Sequence, residues 1–267
     1  LLCISIIFLT GKKMLNIKDV SVNFGGIKAV DKASMQIETG KITGLIGPNG
    51  AGKTTLFNII AGNIKPTMGK VMLDEQDITS LPSHELFEKG VLRTFQLAHE
   101  FSNMTVLENL MVVPGMQTGE KILNTWFQRK RIENEEKAIK EKALEVVNFL
   151  KLDHLTYELA GNLSGGQKKL LELGRTMMVE AKIVLLDEVG AGVNRTLLND
   201  ITNIIKKLNY EKNYTFFMIE HDMNFLSKLC DKVIVMTEGS VLVEGGIDEI
   251  KKNEKVIEAY LGRGQIE

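Results

Sequence analysis

The chain of 267 residues holds two cysteines, Cys3 and Cys230. Two thiols exclude a disulfide scaffold and a four-thiolate zinc site, and Cys230 reads as a small core residue. Neither sign of charge is in excess, with 33 basic and 34 acidic side chains and a net charge of −1. The basic surplus of a nucleic-acid binder is missing, and so is the high net charge of a disordered chain. No long hydrophobic run occurs. The longest apolar opening is residues 1–9, interrupted by Ser5, whereas a membrane span needs about 20 residues. A secretory leader would place its positive charge before the apolar stretch, but Lys12 and Lys13 follow it. Met14 then opens a strand-like pattern, so the chain proper is expected to begin there, with 1–13 a non-native or disordered extension. No repeat period and no low-complexity segment stands out.

What is present is apolar material. Hydrophobic residues make up 44% of the chain, enough to close a substantial core in one large domain or one domain with an insertion. Alternation over 15–24 predicts a strand, Gly25-Gly26 a turn and 33–37 a second strand. The apolar run 41–46 is followed by a glycine-rich stretch and a helical pattern over 53–61. Strand, glycine loop and helix in that order predict a βα unit of an α/β sheet. Over 133–150, charges alternate with Ala138, Ile139, Ala143, Val146, Val147 and Leu150 at near-helical spacing, a helix with one solvated face. Residues 96–178 read as mostly helical, an insertion. Ile183-Val184-Leu185-Leu186 and Thr215-Phe216-Phe217-Met218-Ile219 read as parallel strands buried on both faces. The segments 233–236 and 241–243 flank Glu238-Gly239-Ser240 and read as a hairpin.

Gly47-Pro48-Asn49-Gly50-Ala51-Gly52-Lys53-Thr54 satisfies G-x-x-x-x-G-K-[ST]. Glycines allow positive φ and bring backbone N–H groups close to phosphate oxygens. The helix that follows aims its positive end at the same place. Lys53 is placed for the β- and γ-phosphates, Thr54 for Mg²⁺ and Thr55 for a further phosphate contact. The predicted strand from Ile183 ends in Asp187-Glu188. Ligands of parallel sheets bind at the carboxyl ends of strands. One carboxylate there can hold Mg²⁺, and its neighbour can polarise a water for attack on the γ-phosphate.

Leu163-Ser164-Gly165-Gly166-Gln167 lies between these motifs, with the acidic pair about twenty residues later. Alone, Ser164-Gly165-Gly166 is a helix N-cap after a flexible turn. With the phosphate loop before it and Asp187-Glu188 after it, the stretch resembles the signature of ATP-binding-cassette (ABC) ATPases over residues 14–264. The resemblance makes Gln96 the glutamine loop, Asp187 and Glu188 the magnesium carboxylate and catalytic base, and His221 the switch histidine. It stacks adenine on Phe24, for which the alternative is a core position on the sheet. It implies a P-loop NTPase fold, with a mainly parallel sheet core, an antiparallel β subdomain and a helical insertion. The ATP-binding core then takes 14–95 and 179–267, and the helical subdomain 96–178. ATP and Mg²⁺ are the implied cofactors, with Thr54, Gln96 and Asp187 at the metal. Two cassettes, identical or different, would close head to tail over two ATP molecules. Ser164, Gly165, Gly166 and Gln167 of each would meet the γ-phosphate held by the other.

Finer matches resemble the branched-chain amino acid importer ATPases. They are Phe24-Gly25-Gly26-Ile27-Lys28-Ala29-Val30, Arg93-Thr94-Phe95-Gln96, Met104-Thr105-Val106-Leu107-Glu108-Asn109-Leu110, Ala191-Gly192-Val193-Asn194 and Ala259-Tyr260-Leu261-Gly262. Gly165 replaces a larger residue frequent in that branch, and importers of urea and short amides share the glycine. They are the alternative, followed by an exporter or lipid-extraction ATPase, and last a soluble cassette of translation or DNA repair. An importer implies two transmembrane permeases docked beside Gln96, a solute-binding protein on the outer side, no nucleic acid, and a place on the cytoplasmic face of the membrane. Val189 and Arg195 stand where most of the family has proline, which should loosen the turn beside Glu188. With 4 prolines in the whole chain, compositional drift is the simpler account of both.

Overall fold

The computed structural model describes residues 13–94, 100–115, 117–120 and 122–261. Strands β1 (Lys13–Phe24) and β2 (Ile27–Glu38) form an antiparallel hairpin around Gly25-Gly26. The side chains of β1 turn inward at Leu15 and Ile17, then at Val20 and Val22. That change of parity coincides with a register shift between Ile17 and Val20, where Asp19 takes φ +48°. A bulge of one residue moves every later side chain to the other face. Strand β2 is longer than the 33–37 expected from its sequence. Half of its first six residues are exposed, so pairing with β1 more than burial makes it a strand there.

Strand β3 (Ile42–Ile46) leads through the glycine loop into helix α1 (Lys53–Ile60). Strands β4 (Met68–Leu73) and β5 (Gln76–Asp77) return to the first sheet, giving the order β2-β1-β4-β5. They escape a periodicity reading because β4 is half exposed and β5 has two residues. Helix α2 (Ser83–Glu88) precedes β6 (Val91–Arg93), a three-residue edge strand inside the core that the sequence reading did not mark.

The helical stretch follows: α3 (Val106–Met111), α4 (Ile122–Phe127), α5 (Arg129–Phe149) and α6 (Gly165–Met177). Thr105 and Glu108 close a capping box on α3, satisfying N–H groups that a helix start leaves without partners. Helix α5 buries Ala143, Val146 and Val147 and carries the ion pairs Arg129–Glu133 and Arg131–Glu135 on its exposed side. The chain then runs β7 (Ile183–Asp187), α7 (Arg195–Lys212), β8 (Thr215–Ile219), α8 (Met223–Leu229), β9 (Lys232–Thr237), β10 (Ser240–Gly245), α9 (Ile247–Lys252) and α10 (Glu254–Leu261).

The second sheet has six strands in the order β10-β9-β3-β8-β7-β6, parallel except for the β9–β10 hairpin. All five residues of β3, β7 and β8 are buried. Alternate side chains serve two cores, as the two-residue period of a strand requires. Leu45, Ile183, Leu185, Phe217 and Ile219 pack with the antiparallel sheet and α1. Ile46, Val184, Leu186, Phe216 and Met218 pack with the helices on the opposite face. The apolar faces of α3, α5 and α6 belong to this second core, so the helical stretch is built onto the sheet. Cys230 touches Met218 through sulfur at 3.7 Å, and burial pushes its thiol up to about 12. Among the described residues no helix is long and apolar enough to cross a membrane.

Candidate nucleotide-binding site

Three neighbouring strands, β3, β8 and β7, end on the same edge of the sheet. Their carboxyl ends carry the glycine loop, His221 and Asp187-Glu188 respectively. The loop has one shape available to it. Gly47 (φ +150°) and Gly52 (φ +94°) both lie where L side chains rarely go. A Cβ at Gly47 would stand 2.1 Å from the Met236 carbonyl oxygen, and one at Gly52 2.3 Å from that of Ala29. The loop is thus wedged between β9 and β2, and only glycine fits.

Lys53 is buried, and its ammonium donates to the carbonyls of Gly47 (2.7 Å) and Pro48 (3.1 Å), so it lies folded over the loop. Helix α1 starts with neither a side-chain cap nor an acidic residue in its first turn. Its leading N–H groups and dipole therefore suit an anion. Thr54 is exposed at this helix start and Thr55 half-buried; Asn49 and Gly50 are exposed, Pro48 and Ala51 buried. Tyr260, on α10, lies close to the loop backbone at Gly47. Burial raises the Tyr260 pKa, and the Gly47 backbone beside it works the other way. The sequence reading quoted Tyr260 only as part of a terminal match.

Asp187 is buried and ion-paired with Arg93 (Nη2–Oδ2 2.8 Å), whose other Nη donates to Asn58 on α1. Arg93 thus joins β6, β7 and α1, a link that no local pattern announces. Glu188 takes φ +50°, and its N–H donates to the Ile219 carbonyl (3.0 Å). Its Oε1 lies 2.9 Å from Nε2 of His221, with the donor set by the imidazole tautomer. Both side chains reach solvent, 22% and 45% exposed, so water can come to the carboxylate.

Behind this pair lies a second layer that sequence reasoning missed. Glu220 is buried, and its Oε1 accepts from Gly190 N–H at 2.8 Å. Burial raises its pKa to about 7, against the Gly190 hydrogen bond, the His221 backbone and the charge of Lys169. The Lys169 ammonium, on α6, donates to the carbonyls of Glu188 (3.0 Å), Val189 (3.0 Å) and Ala191 (2.7 Å). The turn that lacks proline at Val189 is held by these bonds, and Val189 itself is buried. Asn194 caps α7 through a bond from the Leu197 N–H at 3.0 Å, with Arg195 as the first helical residue.

The signature opens α6. Ser164 accepts from the Gln167 N–H (3.4 Å), and the Gln167 carboxamide oxygen accepts from the Ser164 N–H (2.9 Å), a reciprocal capping box. Ser164 and Gly165 are exposed, Gly166 is buried. Their exposure leaves a helix start available to a second molecule. Phe24 is 50% exposed at the end of β1, so it is not the core residue of the alternative reading. Its hairpin partner Ile27 begins β2, which leads to Ala29 against the loop. Gln96 lies outside the described residues.

Among the described residues no cluster of three acidic, histidine or cysteine side chains could cage a metal ion. A hydroxyl and one carboxylate near a phosphate cradle are nevertheless the donor set Mg²⁺ takes when it arrives with a nucleotide.

Known proteins are similar to this chain in sequence and fold. Residues 30–191 match the ABC transporter family. A probable branched-chain amino acid transport ATP-binding protein LivG of Archaeoglobus fulgidus is 42% identical over 94% of this chain and 96% of its own. The high-affinity branched-chain amino acid transport ATP-binding protein BraF of Pseudomonas aeruginosa is 36% identical over 94% and 98%. Among solved structures, the ADP conformation of MJ1267, an ATP-binding cassette of an ABC transporter, superposes with TM-score 0.81 at 40% identity, covering 94% of this chain and 99% of that one. A dimeric cassette bound to ADP and Pi, MJ0796, superposes with TM-score 0.72 at 25% identity over 88% and 99%.

Proposed function

The chain belongs to the ABC transporter family as an ATP-binding cassette with ATPase chemistry, and on that premise we propose that it powers uptake of branched-chain amino acids through separate permeases. The observation that carries the solute assignment is its likeness to LivG and BraF over nearly the whole of each chain.

In this reading the loop from Gly47 to Thr55 holds the phosphates. Lys53 leaves the two loop carbonyls for the phosphate oxygens, an exchange of neutral acceptors for charged ones. Thr54, Asp187 and Gln96 form the Mg²⁺ side, and the ion would neutralise charge developing on the phosphates. Glu188 orients the attacking water and draws its proton, and His221 fixes the carboxylate and meets the γ-phosphate. Phe24 stacks on adenine. The core spans 14–95 and 179–267 and the helical subdomain 96–178.

One chain holds half of each site. Ser164 and Gly165 are exposed at a capped helix start, where with Gly166 and Gln167 they meet the ATP that a second cassette, the same or different, presents. The dimeric relative supports this pairing. The permeases dock in the groove lined by Ser83, Phe87, Arg93, Val113, Glu172 and Arg175. The cassette then lies on the cytoplasmic face of the membrane, and a solute-binding protein delivers from outside.

Copurification with the permeases, followed by uptake assays, tests the solute. Leucine, isoleucine or valine should enter in an ATP-dependent way. Uptake of urea or short amides instead would move the assignment to the alternative, and outward transport would overturn import.

A further inference from the structure

The turn that follows β7 carries Glu188 in a conformation costing an L residue about 1–2 kcal/mol in isolation. Such a conformation persists where the surroundings over-determine it. Here they do so from three sides. The Ile219 carbonyl takes the Glu188 N–H at 3.0 Å, and the buried Glu220 carboxylate takes the Gly190 N–H at 2.8 Å. The carbonyls of Glu188, Val189 and Ala191 all point to one ammonium, Lys169, at 3.0, 3.0 and 2.7 Å. An ammonium has three protons to donate, and the three carbonyls use them.

Lys169 does not belong to the turn. It sits on α6, the helix that Ser164 caps with its outward-facing first turn. The same rigid helix therefore presents the signature to the opposite cassette and grips the backbone of the catalytic turn in its own. We propose that Lys169 is a positioning residue for hydrolysis: it sets the Glu188 backbone so that the carboxylate stands against His221, and transmits the seating of α6 on a partner's nucleotide to that carboxylate. The inference rests on the reading that Glu188 orients the water. A rigid link suits the task, because attack needs reacting groups placed to within a fraction of an ångström, and a misplacement of about 1 Å costs on the order of 100-fold in rate.

Steady-state ATP hydrolysis and nucleotide titration on the full-length chain test it, using Lys169→Met, Lys169→Arg, Glu188→Gln and the Lys169→Met/Glu188→Gln double variant. Lys169→Met should lower kcat about tenfold or more, with KM for ATP and ADP affinity within about twofold of native. Lys169→Arg keeps a charged multiple donor and should restore most of the rate. In the Glu188→Gln background, Lys169→Met should cost little further, because the two act on one step. A native kcat for Lys169→Met beside an inactive Glu188→Gln overturns the proposal alone. So does a fall in kcat matched by lost nucleotide affinity and a lower Tm, which would make Lys169 merely structural. A native rate for Glu188→Gln would overturn the reading of Glu188 itself. If Lys169→Met does not fold, Lys169→Gln against Lys169→Arg gives the same comparison, and equal rates reject the role.

Discussion

Glu188 meets His221 at 2.9 Å and is reached by solvent, so the proposed chemistry concentrates in one carboxylate. Glu188→Gln keeps the size and one hydrogen-bonding oxygen but cannot draw a proton from water. It should bind ATP with native affinity, lose about 100-fold or more in kcat, and accumulate as an ATP-bound dimer in size-exclusion chromatography. Gly52 tests the loop beneath. Its positive φ and the Ala29 oxygen 2.3 Å from the position of a Cβ leave an alanine no place without moving β2. Gly52→Ala should cost about 2 kcal/mol of stability and abolish nucleotide binding, read by thermal denaturation and ATP titration. At this scale the sequence is legible where chemistry is local. Lys53, Thr54, Asp187 and Glu188 stand out because a strand end and the next few residues decide them. Arg93, Lys169 and Glu220 do not, because each acts on residues that are remote in sequence and neighbours only in the folded sheet.

Helix α6 begins with a reciprocal pair of bonds between Ser164 and Gln167. Removing the hydroxyl should cost the helix about 1 kcal/mol and remove the proposed donor to a partner's γ-phosphate. Ser164→Ala should then bind ATP normally as a monomer but fail to dimerise with it, which sedimentation velocity in ATP distinguishes. Whether an element could be read from the sequence followed from its burial. Strands β3, β7 and β8, buried on both faces, announce themselves as apolar runs. Strand β2 over its first half, β4 and β5 do not, since hydrogen-bonded neighbours rather than an apolar pattern make them strands, and β6, buried at Val91 and Leu92, is only three residues long. The shift at Asp19 shows the same limit: the alternation along β1 is real, yet one extra residue changes which face it serves.

For the whole molecule, Glu220 ties stability to pH. Its pKa is raised by burial to about 7 from an ordinary 4.5, so between those values the folded chain holds a proton that the unfolded chain has released. The contribution of Glu220 to stability therefore falls as pH climbs from about 4.5 to 7, by about 3 kcal/mol in all, and is level above. Glu220→Gln can still accept the Gly190 N–H and carries no titrating group. Its Tm should match the native protein near pH 4.5 and exceed it at pH 8, and a constant difference across that range would refute the assignment. The sheet order has a different consequence, one of timing. Strand β3 lies between β8 and β9, and the bond from the Gly40 N–H to Thr215 spans 175 positions. A ribosome releases β3, the glycine loop and α1 long before either flanking strand exists. Parallel pairing over such a distance is slow to form, so the nascent phosphate loop waits with its strand unpaired on both edges until the last fifth of the chain emerges. The nucleotide site of the cassette is therefore completed late, when β8 and β9 close around β3.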